Sequence, residues 1–313
     1  MARLAPYAKE HAVLRGPGDA RPTAAQIVKD QGLVASPDWI GRVVLITGCS
    51  PGGLGLETAK AIHLTAADVY MTVRDVAKGK QVAAEVLADG MPGRVEVVEV
   101  GPGVMFCPHG RTEDGFETHL GVNHLAHFYL FHLVKDALLS SASPSFNSRV
   151  VVVASAAHRS GKIHLDDLNL DKMEYDPKLA YGQSKLANIH FANELDRGFK
   201  SQNTRALSLH PGGSITPLSR YLGSTKDIED DPVIGKILMT PAQAAATTVW
   251  AAIARQLEGK GGIYLDEVAE AELVGKDAPY AGPGYSARAF DSDTEKRLWT
   301  ASLKLTGLSD YGV

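Results

Sequence analysis

A chain of 313 residues with net charge −4 and a pI near 6.3 gives no basis for nucleic acid or an anionic membrane as partner. Hydrophobic residues at 44% and charged residues at 22% are those of an ordinary globular protein, and the length suits one doubly wound α/β sheet. The two cysteines, Cys49 and Cys107, imply no disulfide framework and suggest a reducing compartment, taken here as the cytoplasm. No run approaches the ~18–20 apolar residues of a membrane span, and the first residues lack the apolar core of a secretory signal.

Residues 1–38, with Gly16-Pro-Gly-Asp-Ala-Arg-Pro22, read as an N-terminal arm ending in a short helix around 23–33, and 39–313 as a single domain. A first strand over 43–47 breaks into Thr47-Gly48-Cys49-Ser50-Pro51-Gly52-Gly53-Leu54-Gly55 and continues as a helix over 54–66. Strand, glycine turn and helix N-terminus make an anion site, because bare backbone lets a pyrophosphate approach and the helix dipole favours its charge. Cys49 inside that loop reads as a small filler, since no His stands beside it.

A second strand over 68–73 ends on Arg74 and precedes a helix over 76–88. An NAD site places a carboxylate there for the ribose 2′-OH, whereas a cation suits the 2′-phosphate of NADP. Arg74 therefore predicts NADP(H) preferred over NAD(H).

Further on, a strand over 94–100 runs into Gly101-Pro102-Gly103, a long helix over 113–141 carries Asn123, and an apolar strand over 149–154 ends at Ser155. Helices over 179–200, 241–257 and 292–305 alternate with strands over 204–209 and 262–265. That alternation, with strands as apolar as Val150-Val-Val-Val-Ala, predicts a parallel, Rossmann-type sheet covered by helices. The loop over 218–236, with Tyr221, Leu222, Ile228, Val233 and Ile234 among four acids, reads as apolar on one face and acidic on the other.

The chemistry is concentrated in Tyr181-Gly-Gln-Ser-Lys185, 26 residues after Ser155. Residues four apart on a helix share a face. A free phenol titrates near ~10 and is a poor base at neutral pH, but an adjacent ammonium favours the phenolate. A serine at the mouth of a buried strand can bond the oxygen whose proton moves.

Taken together, Thr47-Gly48…Gly53-x-Gly55, Arg74-Asp75, Gly103-Val-Met, the Asp114–Phe128 stretch, Ser155-Ala-Ala-His158, Tyr181…Lys185 and His210-Pro211-Gly212 resemble the short-chain dehydrogenases/reductases. The similarity covers about 40–310 and is greatest toward the retinol-dehydrogenase-like and WW-domain-oxidoreductase-like members.

It implies an NADP(H)-dependent interconversion of a carbonyl and an alcohol on a small or medium hydrophobic substrate. Tyr181 would act as proton donor or base, Ser155 would polarise the substrate oxygen, and Lys185 would tune Tyr181 and bond the nicotinamide ribose. Asn123 would hold a water linking Lys185 to solvent. Cofactor contacts would come from Thr47, Gly48, Ser50, Gly53, Leu54, Gly55, Arg74, Gly103, Asn123, Tyr181, Lys185, Pro211, Gly212 and Thr216. The loop over 218–236 would be a substrate lid, and a homodimer would form through the 113–141 and 179–200 helices. No metal is expected: His124, His127, His158 and His210 lack a ligand spacing.

Against the family pattern, about one strand and one helix are missing near residues 90–104. Either 94–100 is the central fourth strand and the outer third is gone, or 94–100 is the outer strand and the central one is gone. The first is favoured because it leaves a continuous sheet, with Val95, Val97 and Val98 buried beside the first strand. A gene-model or splicing deletion gives the same pattern. The glycine loop also has one residue more than the common family spacing. These departures leave a second function open, a catalytically impaired NADP(H)-binding or truncated member.

Overall fold

The computed structural model describes residues 3–275, 277–279 and 282–309. In chain order the elements are α1 (Ala24–Asp30), β1 (Val43–Ile46), α2 (Leu54–His63), β2 (Asp68–Val73), α3 (Val76–Leu87), β3 (Val95–Glu99), α4 (Ala126–Ser141), β4 (Ser148–Val153), α5 (Pro177–Phe199), β5 (Thr204–Leu209), α6 (Thr225–Glu229), α7 (Ile234–Ile237), α8 (Pro241–Ala244), α9 (Ala246–Ile253), β6 (Ile263–Asp266), β7 (Ala269–Glu270) and α10 (Ser292–Thr306). They fall into two compact units, one of residues 5–103 with 211–255, the other of 104–210 with 256–309 and the start of the chain.

The first unit holds a parallel sheet in the order β1-β2-β3. Thr23 caps α1 by accepting from the Gln26 N–H, and the helix buries Ile27 and Val28. The arm is tied down by Arg21, whose guanidinium donates to the carbonyls of Ile237 at 2.7 Å and Leu238 at 2.6 Å. β2, buried almost throughout, pairs with β1 from Val43↔Asp68 and with β3 from Val69↔Val95.

This corrects the favoured reading of 94–100. The strand is the outer one, beside β2, and the sheet ends on β1. The register is set by Asp68, which accepts from the Arg94 N–H at 2.8 Å and from its guanidinium at 2.7 and 3.0 Å. Val95 and Val97 are half-buried, while Glu96, Val98 and Glu99 are exposed, as an outer strand allows. With the central strand absent, Val43 and Leu45 of β1 remain exposed.

The second unit holds β4-β5-β6-β7, parallel but for β7, which turns back on β6 through Glu267 and Val268, both left-handed. Phe128, Phe131, Phe191, Phe199 and Trp299 pack the space between α4, α5 and α10. α10 is fastened to α5 by Glu295, which accepts from Asn193 at 2.8 Å and Arg197 at 2.5 Å. The α5 side of the expected homodimer face is thus covered by the chain's own C-terminal helix.

Helix boundaries differ in two places. The 113–141 helix begins only at Thr118: Gly115 is left-handed and Arg111 bridges Glu117, so 113–117 form a turn. Its stretch Leu120–Leu125 is wound in the wider π form. The 241–257 helix divides into α8 and α9. Among the described residues, no helix is long and apolar enough to cross a membrane.

Candidate active site

The expected catalytic residues Asn123, Ser155, Tyr181 and Lys185 all lie in the second unit. Asp176 caps α5 and Pro177 opens it, so the helix presents Tyr181 in its second turn. Lys185 Nζ lies 5.6 Å from the centroid of the Tyr181 ring and donates to the Val153 carbonyl at 3.1 Å. That hydrogen bond is solvent-exposed, while the protein packed around the side chain desolvates the ammonium in part and lowers it to about 8.

Ser155, two residues beyond β4, caps the turn Ala156–Arg159, its Oγ accepting from the Ala157 N–H at 3.2 Å. His158 holds the backbone of Ser155: its Nδ1 donates to the Ser155 carbonyl at 2.6 Å, while Nε2 accepts from the Ser286 N–H at 3.2 Å. Burial lowers His158 to about 4 and keeps it neutral for that arrangement. Two glycines bring the Ser155 turn onto α5. A Cβ at Gly182 would lie 3.0 Å from the Ala157 carbonyl and 3.1 Å from the Gly161 N. Gly182 lies inside the Tyr181 motif, so its role was open to notice in the sequence; those of His158 and Gly161 were not.

Asn123 sits in the π turn, with its amide committed. Oδ1 accepts from the Val104 N–H at 2.8 Å, and Nδ2 donates to the Val104 carbonyl at 2.9 Å and to Ser184 Oγ at 3.0 Å. Ser184 in turn donates to the Tyr181 carbonyl at 2.8 Å. The side chain thus fixes backbone, and a water would have to be held by other atoms of this turn. His124 packs beside Phe128 and Phe191 and bonds Ser302, at 2.8 Å.

The expected phosphate residues lie in the first unit, as does Arg74. After β1 the chain turns at Gly48, left-handed at φ +75°, and at Gly52, φ +68°. The N–H groups of Gly48 and Cys49 are anchored on Thr72, at 3.2 Å to its hydroxyl and 2.9 Å to its carbonyl. Ser50 and Gly53 close the turn, Gly53 caps α2 and Leu54 opens it. A Cβ on Gly55 would meet the Gly48 carbonyl oxygen at 2.6 Å, so only glycine permits this helix–loop approach.

The result is a bare-backbone turn ending at a helix N-terminus, which fits a pyrophosphate. Arg74 is exposed just past β2 and has no hydrogen bond or ion pair among the described residues. Past β3 the chain crosses these strand ends: the Val100 N–H bonds the Val73 carbonyl at 2.9 Å, and Pro102 Cβ lies 3.8 Å from where a Gly48 Cβ would stand. Gly212 is left-handed at φ +95°, and the Thr216 hydroxyl caps Pro217–Tyr221 by accepting from the Leu218 N–H. Within 218–236, helical turns form at α6 and α7.

The comparison with family models finds no match. Among curated proteins, the chain is similar to the short-chain dehydrogenase/reductase prx1 of Penicillium roqueforti, 40% identical over 324 aligned positions that take in 94% of this chain and 93% of that one. It is 37% identical to oxidoreductase calI of Penicillium decumbens, over 94% and 95% of the two chains. Human retinol dehydrogenase 11 is 35% identical over 86% of each.

Among solved structures, an uncharacterised protein of Mycobacterium paratuberculosis matches with a TM-score of 0.66 at 31% identity, over 92% of this chain and 98% of that one. A Pseudomonas aeruginosa RhlG/NADP complex, 18% identical with a TM-score of 0.55 over 75% and 96% of the two chains, shares the fold. Since 94% of 313 residues is about 294, the 324 positions of the first alignment leave about 30 without counterpart here. That is about the size of one helix and one strand with their connections.

Proposed function

Because the chain belongs to the short-chain dehydrogenase/reductase family, we propose that it interconverts a carbonyl and an alcohol on a small or medium hydrophobic substrate with NADP(H), in the cytoplasm. The observation that carries this reading is the Lys185 ammonium beside the Tyr181 ring on one face of α5, hydrogen-bonded to the strand that delivers Ser155.

The nicotinamide cofactor, when bound, supplies or accepts the hydride. Tyr181 gives the substrate oxygen its proton in reduction and takes it back in oxidation. Lys185 favours the charged form of that phenol by its own positive charge. Ser155 Oγ already accepts from the Ala157 N–H, so its own O–H is left to donate to the substrate oxygen. Asn123, through Val104 and Ser184, keeps the Tyr181 turn in register.

The turn from Thr47 to Gly55 with the N-terminus of α2, joined by Gly103, Pro211, Gly212 and Thr216, would hold the phosphates and nicotinamide end. Arg74, uncommitted at the end of β2, supports the 2′-phosphate and hence NADP(H) over NAD(H). Titration of purified protein with NADPH and NADH, read by nicotinamide fluorescence, tests the cofactor half of this reading. A panel of aldehydes and ketones tests the rest.

A second reading, a cofactor-binding chain without turnover, is favoured by one observation: the sheet stops at β1, where the missing strand would lie. NADPH binding with no turnover on the panel would select it.

A further inference from the structure

Asn123 and His119 grip the chain at Val104 and Cys107, and the two residues between those points bulge out beside Tyr181. Asn123 holds both the N–H and the carbonyl of Val104, at 2.8 and 2.9 Å. The N–H of Cys107 donates to Nε2 of His119 at 3.3 Å. Nδ1 of that ring lies 2.9 Å from the Glu117 carboxylate, which also accepts from the N–H groups of His119 at 2.9 Å and Leu120 at 2.8 Å, and from the Tyr175 hydroxyl at 3.0 Å. Burial pushes the Glu117 carboxyl up, but these donors together hold it below the usual carboxylate range, so it is ionised. An ionised acceptor keeps the proton of His119 on Nδ1 and leaves the Nε2 lone pair to the Cys107 N–H.

Phe106 takes up the bulge with a left-handed backbone, φ +51°. For a bulky side chain that conformation is strained, and it persists only where the surroundings over-determine it, as they do at functional sites. The two grips supply that constraint, and its product is the placement of one ring. The Phe106 and Tyr181 centroids stand 5.1 Å apart with their planes at 73°, an edge-to-face contact.

The His119 ring meets the same tyrosine at 6.1 Å and 66°, but it is fully buried. Of these two rings only Phe106 is partly open to solvent, whereas Phe128, Phe131 and Phe191 are sealed in the core. A carbonyl brought to the Tyr181 hydroxyl therefore lays its nearer substituent against Phe106.

We propose that Phe106 is the wall that reads the substrate at Tyr181, selecting carbonyl compounds with a flat aryl or conjugated group beside the C=O over saturated ones of equal size. His119, braced by Glu117, is its positioning residue. Edge-and-face attraction between aromatic rings adds to what buried area alone gives, and a saturated ring of the same carbon count cannot supply it. The choice of a carbonyl rests on the function proposed above, whereas the preference for a flat ring does not.

Acetophenone and cyclohexyl methyl ketone share a carbon skeleton and differ in the flatness of the ring. Their affinities for the full chain are compared by ligand-observed NMR titration with NADP⁺ present, which cannot reduce them, and their kcat/KM values with NADPH. The parent should favour acetophenone in binding. Phe106→Leu, apolar but ringless, should lower that preference by about 2–10-fold, the range an aromatic pair is worth, and Phe106→Tyr should keep it. Comparing ratios between variants cancels the different intrinsic reactivity of the two ketones. His119→Leu should lower the preference likewise, while His119→Gln, whose amide oxygen can still accept from the Cys107 N–H, should retain it. If His119→Leu does not fold, the two Phe106 variants decide alone.

A parent without preference for acetophenone, binding of neither ketone, or a preference unchanged in Phe106→Leu overturns the proposal. Selective binding without reduction of either ketone refutes the oxidoreductase reading and leaves the role of Phe106 standing. Turnover that Phe106→Leu leaves equally selective does the reverse.

Discussion

Lys185 Nζ stands 5.6 Å from the Tyr181 ring centroid and 3.1 Å from the Val153 carbonyl, so one ammonium links α5 to the end of β4 two residues before Ser155. Its position makes the proton-transfer assignment testable from both sides of the pair.

Tyr181→Phe should abolish turnover, by ~10²-fold to 10⁴-fold or more, with NADPH affinity nearly unchanged. The change removes one proton-transfer oxygen and leaves the residues of the glycine turn intact. Steady-state rates and fluorescence titration of the same preparation check it. A variant that keeps most of its rate refutes the role.

The Lys185→Met variant should lose activity yet melt at a higher temperature than the parent at pH 7. The folded chain holds Lys185 at about 8, below its ordinary 10.5. Under pH 8 both folded and unfolded chains carry the proton, and the folded one bears the cost of a desolvated charge. Between about 8 and 10.5 the unfolded chain binds more protons, so the parent gains stability as pH rises. The Tm gap between variant and parent should therefore narrow from pH 7 to pH 10, and a gap independent of pH would contradict the desolvated lysine.

For the cofactor, Arg74→Ala should weaken NADPH far more than NADH through loss of a charge-assisted contact to the 2′-phosphate. Equal weakening of both would assign Arg74 to the fold instead.

Inserting the helix and strand of a close relative between Glu99 and Val104 should raise both Tm and NADPH affinity. The position follows from the pairing of β3 with β2, which puts the gap after β3. Cofactor should also raise the Tm of the unaltered chain, since a ligand that binds only the native state adds RT ln(1 + [L]/Kd). A chimera no better than the parent in stability and affinity would mark the short connection as a finished design.

Much of this architecture is legible in the chain. The bounds of β2 and β5 follow directly from their apolar runs, and the Tyr181–Lys185 face follows from helical spacing. Strand order is another matter, because apolar content reports burial and not which neighbour a strand takes. A signal was nevertheless present: Glu96 and Glu99 interrupt 95–99, whereas a strand covered on both faces reads apolar at nearly every position. The π winding at Asn123 has no mark in composition.

The exposed rim of β1 has a consequence for the protein in bulk solution. On the far side of the same sheet, Glu96 and Glu99 stand on the outermost strand and repel any approaching chain, which is how natural sheets guard a border. β1 has no such guard: Val43-Val-Leu-Ile46 is uncharged throughout, with Val43 61% and Leu45 37% exposed. Its composition is that of a strand meant to be covered, so this border can recruit further strands and seed precipitation. Crowding and high expression should bring that on, and a lysine in place of Val43 should suppress it.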